Sequence, residues 1–372
     1  MNILVLGGTG AMGTPLVSIL KQEKTNQIYV TSRKARTSSD NIHYLQGNAR
    51  KKDFLEQILT GQDWDSVVDF MVHGHEFKDL VGLFLNNTKQ YIFISSARVY
   101  SQSDEPITEQ TPRLLDVSKD QKYLATNEYA LAKAREEDLL YNSGKKNFTI
   151  IRPSITYNDY RLQLGVLEKE NWLYRALKGR TIVFSYDIAD KITTNTWGDD
   201  VAQGIASVCS MSDAQGQTFH ITCNYPLTWN EVLHIYINVL EKHLNKKVSV
   251  LYTPKSTNLN FKNRIYQVIY CRYFNRRFDN TKISLFCDVS SFTPPHKGLA
   301  ECLERFLQNP KFSDIDWSLE AVNDRAAKQK TPLNEIPSLN QKVLYLLYRY
   351  KLDVILGPIR LAGRVLNKIR QI

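Results

Sequence analysis

Tyr129 and Lys133 stand four residues apart in Tyr129-Ala-Leu-Ala-Lys133, which places a phenol and an ammonium one turn apart on one helix face. That pair suits proton transfer to and from an alcohol. A phenol, which titrates near about pH 10, is a weak base at neutral pH unless a nearby cation favours its phenolate. Ser95 and Ser96 follow the apolar run Tyr91-Ile-Phe-Ile94, where a hydroxyl can polarise a carbonyl or alcohol. The third part is Gly7-Gly8-Thr9-Gly10-Ala11-Met12-Gly13, placed between an apolar run and a helical pattern. Such a turn lets backbone approach a pyrophosphate while a helix N-terminus offers it N–H groups. Gly7, Thr9, Gly10, Ala11, Met12 and Gly13 are therefore expected to hold a dinucleotide.

The elements that position these residues alternate. Asn2–Leu6, Ile28–Val30, Val67–Val72, Tyr91–Ile94 and Phe148–Ile151 read as buried strands; Thr14–Glu23, the Phe54–Leu59 region and Asn127–Tyr141 read as helices. Strand–helix alternation over about 150 residues predicts an α/β fold, a doubly wound parallel sheet of the Rossmann type. Ser101–Asn127 reads as a loop insertion. The expected organisation is a nucleotide-binding unit over 1–153, to which 194–222 return, a smaller substrate lobe over 154–330, and a basic amphipathic helical tail over 331–372.

The end of the second strand bears on the choice of cofactor. A carboxylate there would bind the free ribose hydroxyl of NAD. The chain instead reads Thr31-Ser32-Arg33-Lys34-Ala35-Arg36. With no acid to repel a 2′-phosphate, Ser32, Arg33 and Arg36 favour NADP(H), with NAD(H) as the alternative.

Composition narrows the class. Apolar residues are 42% and charged residues 23%, the balance of a folded globular chain. No apolar run reaches 18 residues, and Ile3–Gly8 lacks a basic region or cleavage site, so neither a spanning helix nor a secretory signal is expected. The five cysteines form no CxxC pair, which predicts free thiols, a cytoplasmic setting and no metal site. The net charge is +10, and residues 338–372 hold seven bases against one acid. Gly357-Pro358 opens a stretch with Ile359, Ala362, Val365, Leu366, Ile369 and Ile372 on one helical face. Packing on the body or on a second copy in a homodimer is the favoured reading of this tail. Peripheral contact with the anionic inner face of a membrane is the other.

Taken together, the motifs resemble the extended short-chain dehydrogenase/reductases, in particular the NAD-dependent epimerase/dehydratase family. The matching stretches are Gly7–Gly13, Val67–Met71, Ile94–Tyr100, Tyr129–Lys133 and Ile151–Tyr157, followed by Trp197-Gly-Asp-Asp and Arg277–Lys282. The resemblance covers roughly residues 1 to 310. It implies Ser96, Tyr129 and Lys133 as catalytic residues, with Asn48 and Ala49 near the adenine and Pro153 and Ile155 near the nicotinamide. Phe70, Met71 and Ser95 fall within matching stretches beside the cofactor, and Ser154 and Tyr157 beside the substrate. The family acts mostly on nucleotide sugars, so Arg98, Arg161, Arg175 and Arg277 become candidates for a diphosphate. Where the family's sugar dehydratases carry an Asp-Glu pair, this chain has Ala97 and Arg98. Dehydration is thereby disfavoured, leaving epimerisation or net reduction of a keto-sugar, in surface polysaccharide synthesis. His73 and His75, after the third strand, are read as solvated loop residues, with lining of the pocket as the alternative.

A rival reading is a non-catalytic Rossmann relative that senses a cofactor or binds RNA, through the basic, tyrosine-bearing stretch Lys262–Arg277. Such a relative has no need of Ser96, Tyr129 and Lys133 together. An enzyme is therefore the favoured reading, and no nucleic-acid partner is expected.

Overall fold

The computed structural model describes residues 1–71, 73–259 and 264–352. Val72, Lys262 and the Gly357–Ile372 helix expected from sequence lie outside the described residues.

Seven parallel strands form the central sheet: β1 (Asn2–Leu6), β2 (Gln27–Ser32), β3 (Ile42–Gln46), β4 (Ser66–Asp69), β5 (Tyr91–Ile94), β6 (Phe148–Pro153) and β7 (Gln217–Ile221). Their spatial order is β7-β6-β5-β4-β1-β2-β3. The order reverses between β1 and β4, the switch point at which doubly wound sheets bind ligands beyond their strand C-termini. Helices cover both faces, which is why β1 is apolar at consecutive positions. Ile3 and Val5 pack with Leu16 and Val17 of α1 (Gly13–Leu20). Leu4 and Leu6 face the other way, onto Leu55 and Leu59 of α2 (Lys52–Thr60) and Leu80 and Phe84 of α3 (Phe77–Asn86).

Two sequence expectations change here. The edge strand β3 was not among the strands expected, because Ile42-His-Tyr-Leu-Gln46 is half-exposed and has neither an apolar run nor clean alternation. The strand expected over Val67–Val72 ends at Asp69, where the chain turns: the Met71 N–H donates to Asp69 Oδ1 at 2.8 Å.

After β5 comes α4 (Tyr129–Tyr141), then β6 and α5 (Lys169–Leu177). Next, α6 (Gly198–Val208) packs Val201 and Ile205 beside α1. A second core gathers around Trp172, stacked on Tyr236 at 4.6 Å, between α5, α7 (Trp229–Leu244) and α8 (Pro295–Gln308). Thr228 and Glu231 cap α7 reciprocally, side chain to backbone N–H in both directions. α9 (Trp317–Ala326) is tied to α5 by a buried Arg175, whose Nη1 lies 2.7 Å from Glu320 and 2.9 Å from Asp324. α10 (Leu339–Arg349) then buries Tyr345 and Tyr348 beside α9, while Leu339 and Val343 stay exposed. No helix among the described residues is long and apolar enough to cross a membrane.

Candidate active site

The glycine loop follows β1 directly. Gly7 has φ +73°, a backbone region that favours glycine, and its N–H donates to Thr31 Oγ1 at 3.0 Å. A Cβ on Gly13 would sit 2.5 Å from the Gly8 Cα, so this contact admits no side chain. Around Gly10, by contrast, a Cβ would meet nothing nearer than 3.5 Å, and Thr9, Gly10 and Ala11 line an open cavity of about 520 Å³. The turn is thus tight behind and open in front, a cradle that fits a pyrophosphate.

Ser32, Asn48 and Phe70 all fall at the same edge, at the ends of β2, β3 and β4. Arg33 and Arg36 are exposed there; Arg36 lies over the Tyr44 ring. Ser32 turns its hydroxyl to the Lys34 carbonyl at 2.8 Å. Ala49 is buried and Asn48 exposed, while Met71 closes against Gly7. If Arg33 holds a 2′-phosphate, Arg33→Ala weakens NADPH binding about ten- to a hundredfold and leaves NADH binding unchanged. Parallel fluorescence titrations check this, and an equal loss for both cofactors removes the assignment.

Beyond β5, successive serines point opposite ways, as strand geometry requires. The Ser95 hydroxyl donates to Glu137 Oε1 at 2.5 Å, in a buried network where Arg152 grips the same carboxylate through Nε at 2.8 Å and Nη2 at 2.6 Å. The Ser95 side chain thus locks α4 to β6, so only its backbone is left for the cofactor edge where β5 ends. Ser96 takes the other direction and lines a cavity of about 550 Å³.

Met12, Arg98, Tyr129, Pro153, Ser154 and Ile155 line the same cavity. Glu128 caps α4, accepting from the Ala130 N–H at 2.8 Å, and forms a close ion pair with Arg98. Tyr129 is 39% exposed, with the Arg98 guanidinium 5.2 Å from its ring centre. Ser154 lies at the wall, its hydroxyl bonded to the Thr194 carbonyl at 3.0 Å.

Lys133 is buried and does not line the cavity; its Nζ is 2.9 Å from Glu136 Oε2 and 4.4 Å from the Phe93 ring centre. The contact is an ion pair without hydrogen-bond alignment, so the ammonium's three N–H donors are not all committed to Glu136. Such donors fit the hydroxyls of a bound ribose. Glu136 Oε1 accepts the Gly74 N–H at 2.8 Å. Alongside, Asp69 Oδ2 meets His73 Nε2 and the Tyr91 hydroxyl, each at 2.7 Å. Despite burial, the Asp69 charge raises the His73 pKa, and His73 in turn helps lower that of Asp69. His73 is therefore neither solvated nor a cavity residue, whereas His75 is exposed.

Three further expectations are corrected. Tyr157 is core, stacked on Trp197, and its hydroxyl would collide with any side chain at Gly298. Arg175 is the buried tie to α9 already described. Arg277 is exposed and does not line the cavity; its neighbour Arg276 does, together with Arg272, Arg161 and Arg264. Arg272 and Arg276 are the residues missed from sequence. Arg272 ends a π-helical turn and Arg276 lies in the irregular segment after it, so no sequence periodicity marked them as a pair. Both are buried, and neither has a carboxylate within ion-pair distance among the described residues. Arg272 lies against the Trp229 ring and donates to the Gly165 carbonyl, while Arg276 donates to the Tyr100 and Ser101 carbonyls.

Residues 7–193 match the family model described as NAD(P)H-binding. The chain belongs to this NAD(P)H-binding family. Among solved structures it is similar to UDP-glucuronic acid 4-epimerase from Bacillus cereus, with 16% identity, a TM-score of 0.62, and coverage of 84% of this chain and 100% of that one. It is also similar to dTDP-glucose 4,6-dehydratase from Bacillus anthracis, with 18% identity, a TM-score of 0.61, and coverage of 83% and 97%. This family member therefore shares the fold of extended short-chain epimerases and dehydratases. A curated relative, the chloroplast stem-loop binding protein of 41 kDa b from Arabidopsis thaliana, is 26% identical over 237 residues. That match covers 59% of this chain and 58% of the relative's length.

The Trp197-Gly-Asp-Asp segment supports the glycine loop from behind: a Cβ on Gly198 would sit 3.1 Å from the Ala11 carbonyl oxygen. Burial pushes the Asp200 carboxyl up to about 7, although the Thr293 N–H bonds to it at 2.9 Å. A carboxyl whose folded pKa lies above its unfolded value favours the folded state at low pH and progressively disfavours it between about pH 4 and 7. Asp200→Asn should therefore raise Tm at pH 8 and leave it nearly unchanged at pH 4. Thermal melts at the two pH values check the sign.

Proposed function

We propose that the chain is an NAD(P)-dependent oxidoreductase or epimerase that acts on a nucleotide sugar. The observation that carries this reading is one cavity holding Ser96 and Tyr129 beside two buried arginines that have no carboxylate partner among the described residues. Buried guanidinium charge is costly when uncompensated, and a diphosphate is a ligand that would compensate it. Arg161 and Arg264, at the same wall, extend the positive surface toward solvent.

In this reading Tyr129 exchanges a proton with the sugar oxygen, while Ser96 hydrogen-bonds the same oxygen and orients it. Lys133, one turn along α4 from Tyr129 and paired with Glu136, would offer an N–H to the ribose that carries the nicotinamide. The dinucleotide, when bound through Gly7–Gly13, supplies a ring that takes a hydride from the sugar carbon or returns it. Arg98 fills the place where a dehydratase would need a carboxyl and is neutralised by Glu128, so dehydration has no acid–base pair. The exposed Arg33 and Arg36 support NADP(H) as the cofactor.

A second reading follows from the stem-loop binding relative. Against it, Tyr270 stacks on Tyr123 and Tyr266 packs against the same ring at a tilt, the Tyr273 hydroxyl donates to Asp187 at 2.8 Å, and Phe274 lies beneath Arg276. The aromatic faces that single-stranded bases would need are engaged internally. One calorimetric series separates the readings. UDP-glucose should bind the full chain, Arg276→Ala should weaken it at least tenfold, and a stem-loop RNA should not displace it. RNA binding without UDP-glucose binding would reverse the choice.

A further inference from the structure

Cys271 is a nucleophile in the same cavity with no role in the mechanism above. It lies in a π-helical turn, Val268–Arg272, a distortion that recurs at functional sites. The turn brings Cys271 and Arg272 to the cavity together, and the Arg272 Nη1 donates to the Cys271 sulfur at 3.0 Å. Arg276, itself only 4% exposed, lines the same wall, and its Nε has no hydrogen-bond partner. A thiol, the guanidinium bonded to it and a second buried guanidinium thus line one space. We infer that Cys271 is a modification site, a thiolate that reacts with hydroperoxides to form a sulfenic acid inside the substrate cavity.

The chemistry balances without further reactants. The thiolate sulfur attacks one peroxide oxygen, an S–O bond forms and the O–O bond breaks. Hydroxide, or an alkoxide, leaves and takes a proton from water. Sulfur loses two electrons and the peroxide oxygens gain them. Cationic neighbours promote this step because the thiolate is the reacting species. Burial alone would push the Cys271 thiol up, but the charges of Arg272, Arg276 and Arg98 outweigh it and hold the thiol below its ordinary range.

The other four cysteines differ. Burial raises Cys209, Cys223, Cys287 and Cys302, and none of them lines this cavity. Cys302 also accepts from a guanidinium, that of Arg305 at 3.3 Å, but Asp159 already pairs with that arginine. The new oxygen on Cys271 would occupy the space between the arginines, so oxidation and anion binding should exclude each other. That last point rests on the proposed substrate; the reactivity of Cys271 does not.

The test treats the native full-length chain with limiting hydrogen peroxide and traps sulfenic acid with dimedone. Peptide masses then locate the adduct. Cys271 should carry at least about ten times the label of any other cysteine, and Cys271→Ser should abolish that signal while the melting curve stays cooperative. UDP added beforehand should protect Cys271. Labelling at Cys287 first, or at Cys271 only after unfolding, overturns the inference. Selective labelling that UDP leaves untouched keeps Cys271 as the site and counts against the diphosphate reading of the cavity.

Discussion

Tyr129→Phe should lower kcat by about 10²–10⁴ while leaving fold and cofactor affinity intact, the usual worth of a positioned acid–base group. The hydroxyl makes no hydrogen bond among the described residues, and the ring is partly exposed, so its removal leaves no buried polar group unsatisfied. Steady-state rates with a nucleotide sugar, read beside a thermal melt, separate chemistry from stability. A variant with undiminished kcat would remove Tyr129 from the reaction, whatever else binds in the cavity.

Lys133 gives the second large effect, and here stability and turnover move together. Lys133→Met strands the Glu136 carboxylate in a buried site, and breaking such a pair costs about 3–5 kcal/mol. The variant should unfold at much lower denaturant and turn over poorly. Replacing both partners, as in Lys133→Met with Glu136→Leu, removes the stranded charge, and the midpoint should return most of the way. On the proposed mechanism turnover should stay low in the double variant, because the ammonium assigned to the ribose is gone. Recovery of both would mean that the lysine is purely structural.

Much of this architecture was legible from residue pattern. Consecutive apolar positions in β1, β5 and β6 reflect burial on both sheet faces, and the glycines at 7 and 13 marked a turn that admits no larger residue there. The Tyr129–Lys133 spacing placed both side chains on α4, with Tyr129 at the cavity and Lys133 buried. What pattern could not show was direction. Ser95 and Ser96 are chemically identical, and only the pleat sends one to Glu137 and the other to the cavity. Arg276 and Arg277 are a similar case: one residue of register decides which is buried. Lys133 and Glu136 lie three apart, a spacing common on solvated helix faces, so their burial as a pair depends on Phe93 and Gly74, which the chain brings from elsewhere. The strand β3 was missed because a half-exposed edge has no apolar run to reveal it.

The most direct test is a half-reaction. The full-length chain, mixed with stoichiometric oxidised NADP and a panel of nucleoside-diphosphate sugars, should produce absorbance of reduced nicotinamide near 340 nm with at least one sugar. The Tyr129→Phe chain should produce it orders of magnitude more slowly. If no sugar gives the signal with either dinucleotide, or if both chains give it at the same rate, Tyr129 does not serve hydride transfer in this cavity.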